Sequence, residues 1–301
     1  MCPERSDALC PACGSPVSDF RFRIDAWRYV ACRSCGLVRM SPIVVPEPMG
    51  EDYAGIDLEA YQEFVRRFRT PQHVRAVRMI RKHAPGGTLL DVGCGTGGFL
   101  DVAAEAGFRV FGIEPSRIAS GVAAEKHPVL RRDFQHVSLR DETFDVVTLW
   151  SVLEHVADPG PLLDRVRSVL RNGGLLALRI PVADGLIPKL AFALHRATLG
   201  AVDFPLRIIF QLDWHYKHYF LFNLRNARIM LECAGFRVLD RRLEDSCDRA
   251  SLDLRFAHLD MNPAARLVLK TGLDALLRAA SLFEMRDEAV IVARKADCGR
   301  L

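Results

Sequence analysis

Apolar residues alternate with polar ones at Phe20, Phe22 and Ile24, and Trp27, Tyr29 and Val30 resume the run beyond Asp25-Ala26. That period of two predicts two short strands joined as a hairpin. Pro42, Pro46, Pro48 and Gly50 then mark a linker, and residues 51–69 carry a broken helical pattern. From Thr70-Pro71, a hydroxyl followed by proline, the period becomes helical. Val74, Val77 and Ile80 form the apolar stripe, and Arg75, Arg78 and Arg81 the solvated face. Residues 88–92 read as a short buried strand, 99–106 as a helix closed by Gly107, and 109–113 as a second strand ending at Glu114. Glycines at 93, 95, 97 and 98 fill the turn between strand and helix, which makes one βαβ unit. Two greasy stretches follow, 184–212 and 263–283. In the second, Leu269, Leu273, Leu276, Leu277 and Ala280 share a face opposite Arg266, Lys270, Asp274 and Arg278.

Composition adds bounds. The 301 residues suit one large α/β domain with a small appendage, and a net charge of +4 is too mild to argue for nucleic acid. No apolar run of roughly 18 residues suggests a membrane span. No secretory leader is visible, so a cytoplasmic location is expected.

Four of the nine cysteines stand as Cys10-x2-Cys13 and Cys32-x2-Cys35, eighteen residues apart. That spacing matches a four-thiolate zinc site, which argues against a disulfide scaffold. Gly14 and Gly36 each follow the second cysteine of a pair and relieve the tight turn there. Residues 1–45 are therefore expected to form a zinc ribbon. So small a module depends on metal worth on the order of 10 kcal/mol, and four thiolates make that metal structural.

Gly93, Gly95 and Gly98 satisfy the dinucleotide fingerprint, which alone is weak. The longer stretch Asp91-Val-Gly-Cys-Gly-Thr-Gly97 resembles the first motif of class I S-adenosylmethionine-dependent methyltransferases. The resemblance continues in family order through Glu114, Asp133-Phe134, 144–150, 151–156, 170–180, 234–239 and 289–293. It implies an α/β fold with a seven-stranded Rossmann-like sheet over residues 71–301, preceded by the ribbon and by a linker and helix over 46–70. It places S-adenosylmethionine against Asp91, Gly93, Cys94, Gly95, Gly97, Glu114, Asp133, Phe134 and Trp150. Asp91 would help hold the methionine end, Glu114 the ribose, and Asp133-Phe134 the adenine. The family's acceptor-binding segments correspond to insertions near 184–222 and 244–286. These could equally be ordinary packing, a lid, a membrane contact or a dimer surface.

Methyl transfer from a sulfonium needs an aligned acceptor, and a hydroxyl acceptor needs a base. His155 follows the fourth strand, and His215 and His218 sit in Asp213-Trp-His-Tyr-Lys-His-Tyr-Phe220. Each is a candidate base, and packing is the competing role for all three. Sequence spacing offers no third metal ligand beside His215 and His218. The remaining histidines, 73, 83, 127, 136, 195 and 258, have no comparable context. The expected activity is methylation, on oxygen, of a small-molecule or glycan-precursor acceptor, sugar- or lipid-linked. The alternatives are RNA methylation with the ribbon as binding module, methylation of a lipid or quinone precursor, a nicotinamide-dependent oxidoreductase, and a binding protein without catalysis.

Overall fold

The structure is a computed structural model that describes residues 9–43, 57–213, 216–246 and 262–296. The chain opens with an antiparallel hairpin of β1 (Ser18–Ile24) and β2 (Trp27–Cys32). Asp25 turns it in the left-handed region, at φ 50°, which short polar side chains tolerate. β3 (Val38–Met40) pairs with the other edge of β2.

α1 (Leu58–Phe64) begins at Asp57, whose carboxylate accepts from Ala60 N. It runs through a wide π-helical turn, Val65–Arg69, into α2 (Thr70–Arg81). The sequence predicts a fresh helix start at Thr70, but the helix is already running there. Proline at 71 lacks the N–H that an α-turn needs, and the π-turn just ahead absorbs the missing bond. The Thr70 hydroxyl donates back to Val65 O at 3.3 Å instead of capping. Val77 and Ile80 are buried as expected. Arg75 is not simply solvated, since it pairs at 3.0 Å with the buried Glu244.

β4 (Gly87–Val92), α3 (Gly98–Glu105), β5 (Phe108–Ile113), α4 (Arg117–Ala124), β6 (Val129–Leu130), β7 (Phe144–Trp150), α5 (Pro159–Val169) and β8 (Leu170–Pro181) follow. The greasy 184–222 stretch forms α6 (Leu186–Ala197), α7 (Phe204–Ile209) and β9 (Phe220–Leu221). The chain then makes α8 (Leu224–Cys233), β10 (Phe236–Glu244), α9 (Pro263–Leu282) and β11 (Glu288–Lys295).

Seven strands form the main sheet in the order β10-β11-β8-β7-β4-β5-β6. β4 to β8 pair in parallel, and β11 runs antiparallel to both its neighbours. Chain order reverses at β4, between β5 and β7. The carboxyl end of β4 is therefore the topological switch point, where ligands of open α/β sheets bind. Alternating side chains feed two apolar layers. Leu89 and Val146 face Val77, Ile80, Leu100 and Ala103 of the helices on one side. Leu90 and Val147 belong to the opposite layer.

That second layer is continuous with the ribbon. Phe22, Tyr29, Leu37 and Met40 share one apolar cluster with Leu90, Leu149 and Leu178. β9 closes the ribbon sheet, which runs β1-β2-β3-β9, by pairing with β3. Phe210 lies 4.2 Å from the Tyr29 ring and 5.4 Å from Phe22, centroid to centroid. The inner side of the 184–222 insertion thus packs on the ribbon, while Leu199, Phe204 and Ile208 stay exposed. α9 buries Leu277 and Ala280 but leaves Leu269 and Leu276 partly outside. Among the described residues no helix is long and apolar enough to cross a membrane.

Candidate functional site

The turn after β4 is built from left-handed backbone: Gly93 has φ 71°, Gly95 54° and Gly97 86°. A Cβ on Gly93 would stand 2.8 Å from Val152 Cγ2, so the turn closes against the segment leaving β7. Gly97 caps α3 without any side-chain acceptor, which leaves a helix N-terminus suited to an anionic group. Glu114, buried at the end of β5, accepts from Gly95 N at 2.9 Å and from Ser116 N at 3.0 Å. Asp91 is buried and accepts from Thr148 Oγ1 at 2.6 Å. Burial pushes its carboxyl up to about 8, and the nearby Glu114 charge adds to the rise.

The other residues expected at this turn have mixed surroundings. The Cys94 thiol packs into the core, where a Cβ on Gly112 would meet its Sγ at 2.7 Å. Asp133 caps a short 3-10 turn, Phe134–His136, and accepts from Gln135 N at 2.9 Å. The Phe134 ring is buried in the main apolar cluster. Trp150 lies 4.7 Å from the Phe99 ring, and its indole N–H is buried without a partner.

Beyond β7, Ser151 has φ 54° and leads into a second 3-10 turn, Leu153–His155. His155 Nδ1 donates to Lys217 O at 3.0 Å, and His218 Nδ1 donates to Ile209 O at 2.6 Å. Their rings are 4.8 Å apart. Burial holds His155 down at about 4 and His218 well below its ordinary value, so both imidazoles are neutral. Residues 216–219, which carry His218, are not helical. His215 lies outside the described residues, as does His258.

Sequence reasoning missed three residues here. Glu154, 1% exposed, has neither carboxylate oxygen hydrogen-bonded, and one ligand atom from each of Glu154, His155 and His218 lies within 4.8 Å of the others. Desolvation raises Glu154 to about 8. Arg179, buried in β8, donates to Gln72 Oε1 at 2.8 Å and to Ser151 Oγ at 2.9 Å. His73 sits against Phe99 at the start of α3, and burial with Arg179 and Arg69 nearby pulls it down to about 3. A Glu-His pair after a strand is visible in sequence. Only the fold brings His218 to it.

In the ribbon, the Sγ atoms of Cys10, Cys13, Cys32 and Cys35 all lie within 4.8 Å of one another. The Cys10–Cys35 and Cys13–Cys32 separations are each 3.6 Å. Two matching knuckles make the set: Gly14 N donates to Cys10 O and Gly36 N to Cys32 O, with both glycines left-handed. Away from the β4 turn, an open cavity of about 760 Å³ lies between ribbon and α6, with Arg21, Lys189 and Arg196 at its polar edge.

Residues 61–241 match a family model described as a methyltransferase domain. Over 97 residues the chain is 38% identical to the ubiquinone biosynthesis O-methyltransferase of Nitrobacter winogradskyi, a stretch that is 30% of this chain and 36% of that protein. The chain thus spans about a third of the length of the curated relatives it matches. Among solved structures, a SAM-dependent methyltransferase from Archaeoglobus fulgidus superposes with a TM-score of 0.52 at 22% identity, covering 78% of this chain and 99% of that one. The [4+2]-cyclase SpnF superposes at 0.50 with 20% identity over 74% and 80% of the two chains, so the fold by itself does not fix the reaction. With most of the chain inside the family match and the sheet order as described, the protein belongs to the class I S-adenosylmethionine-dependent methyltransferases.

Proposed function

We propose that this protein transfers the methyl group of S-adenosylmethionine to a hydroxyl oxygen of a small-molecule acceptor, a phenolic or quinone-precursor compound being favoured over a glycan precursor. The stretch related to a ubiquinone biosynthesis O-methyltransferase carries the reading.

The β4 turn fits the cofactor chemically. Asp91 is a buried carboxyl whose ionisation lacks a cation, and the cofactor's ammonium supplies one. The uncapped start of α3 suits its carboxylate. Glu114 can accept from ribose hydroxyls as well as from the turn, since each carboxylate oxygen takes more than one hydrogen bond. Gly93, Gly95 and Gly97 let the backbone approach the ligand, and Cys94 contributes through its backbone. Asp133, Phe134 and Trp150 are assigned to the adenine side. When bound, the cofactor supplies an electrophilic methyl on its sulfonium, and the protein's part is to align the acceptor and handle its proton.

Zinc fits the ribbon. Four thiolates about 2.3 Å from a tetrahedral ion stand roughly 3.8 Å apart, close to the 3.6 Å seen for two of the edges. The ribbon's arginines disfavour RNA as substrate because several are already engaged. Arg33 pairs with Asp19, Arg21 and Arg28 lie over Phe192 and Phe20, and Arg39 is buried.

His155 and His218 remain the candidate bases, but burial holds His155 down at about 4 and His218 well below its ordinary value, which makes each a weak proton acceptor. The reading is tested with methyl-labelled cofactor against phenols, nucleotide sugars and RNA, each read by mass spectrometry. One labelled methyl group on a phenolic oxygen supports it. Label appearing only in RNA or in a sugar overturns the acceptor class.

A further inference from the structure

We infer that the cavity between the ribbon and α6 is a binding site for a single amphiphilic molecule, one with an apolar body and a phosphate head group. The site is separate from the β4 turn and rests on neither the cofactor nor the acceptor assigned above.

The walls follow from side-chain size. Where the ribbon meets the 184–222 insertion, large rings fill one end of the contact: Phe22 lies 5.8 Å from Phe192, and Tyr29 lies 4.2 Å from Phe210. The other end is bounded by small residues. Ala31 and Val38 are cross-strand partners in the ribbon sheet, and Ala183, Ala193 and Ala197 line the cavity with them. Among the described residues nothing fills the space between, about 760 Å³, and pockets for organic ligands span roughly 300–1,000 Å³. Lys189, Phe192, Ala193, Arg196 and Ala197 recur at helical spacing along α6. One face of that helix therefore supplies both apolar wall and positive rim.

The charge points to the head group. Arg21 of β1 joins Lys189 and Arg196 at the rim, and among the described residues none of the three pairs with a carboxylate. Arg207 on α7 shows the contrast, since it meets Asp25, Asp203 and Asp213. Arg21 lies over the Phe192 ring at 5.3 Å, which occupies the guanidinium face and not its N–H edge. Three like charges gathered at one rim repel, and a bound dianion turns that repulsion into attraction. The lining also says what the rest of the ligand is. Apart from the three cations it holds no hydrogen-bonding side chain among the described residues. A nucleotide base or a sugar buried there would leave its polar groups unpaired, at a cost. An apolar body loses nothing. The cations rim a hollow whose apolar walls lie inside it, which suits one molecule better than a bilayer surface.

The test is calorimetric titration of the full-length protein, without cofactor, by dodecyl phosphate below its micelle concentration. One molecule per chain is expected to bind. Dodecanol and inorganic phosphate, each carrying half of the ligand's chemistry, should bind at least about tenfold more weakly. Lys189→Glu combined with Arg196→Glu should weaken dodecyl phosphate at least about tenfold, and so should Ala193→Trp, which fills the apolar wall. Arg109→Glu with Arg237→Glu makes the same change in net charge elsewhere on the surface and should leave the affinity as it was. Circular dichroism checks the fold of each variant, and the three wild-type titrations decide the matter even where a variant misfolds. No binding of dodecyl phosphate, equal affinity for dodecanol or for inorganic phosphate, or an affinity untouched by both cavity variants overturns the site. Binding to phosphatidylglycerol vesicles without binding of the single amphiphile also overturns it, and makes this face a membrane contact instead.

Discussion

Asn223 Nδ2 donates to the carbonyl oxygen of Cys35 at 3.1 Å. The same side chain caps α8, accepting from Asn226 N at 2.8 Å while Asn226 Oδ1 accepts from Asn223 N. One residue of the methyltransferase domain thus holds a knuckle of the ribbon and starts a helix of its own.

Replacing Asn223 with Ala removes the cap and leaves the Cys35 carbonyl only its longer bond from Asn226 Nδ2, at 3.4 Å. The expected loss is about 2 kcal/mol, read as a lowered urea midpoint. Because ribbon and sheet share one apolar cluster, stripping zinc from the proposed four-cysteine site should lower the melting temperature of the whole protein as one transition. A chelated protein whose main sheet melts at an unchanged temperature would disprove that linkage.

How much of this was legible beforehand follows the range of the interactions. The hairpin, the cysteine pairs, the strand–turn–helix around Asp91 and β7 depend on neighbours within a few residues, and their patterns say so. The π-turn before Pro71 was missed because a proline signal marks a break without saying whether the helix stops or widens. The closure of the ribbon sheet by β9, and the meeting of Glu154 with His218, join residues far apart in sequence. Each strand or side chain there is too short a signal to name its partner.

Asp91 gives a pH prediction. Its ordinary value is 3.8, and burial in the fold raises it to about 8. Between those values the unfolded chain has lost the proton and the folded chain keeps it. Asp91 therefore costs the cofactor-free protein stability as pH rises through that window. An ammonium arriving beside it favours the anion. Cofactor binding at pH 7 should release a proton and strengthen as pH rises toward 8. Calorimetry in buffers of different ionisation enthalpy measures the proton count, and a value of zero in wild type refutes the assignment of Asp91 to the ammonium.

Gly93 tests the contact between the β4 turn, the proposed cofactor site, and the segment that carries His155. Alanine there meets two costs, a φ of 71° and a Cβ 2.8 Å from Val152 Cγ2. The first is worth about 1 kcal/mol and cannot be relieved by a neighbour. The second can. Gly93→Ala should weaken cofactor binding at least about tenfold, and adding Val152→Ala should recover part but not all of the loss. Equal affinities for the single and double variants would show that the contact does not matter.

Arg179 is the buried cation on which this side of the sheet depends. It holds Gln72 and Ser151 and lies 3.5 Å from Glu288, and the positively twisted Ser151 begins the segment that leads to Glu154 and His155. Arg179→Met keeps the bulk but strands the Glu288 carboxylate in a buried position, at an expected cost of about 3–5 kcal/mol. Arg179→Met combined with Glu288→Gln should regain much of that stability, because the Glu288 charge is then no longer stranded. Activity is expected to stay low in the double variant, since Ser151 Oγ still lacks its donor. Turnover returning along with the melting temperature would reduce Arg179 to a purely structural role.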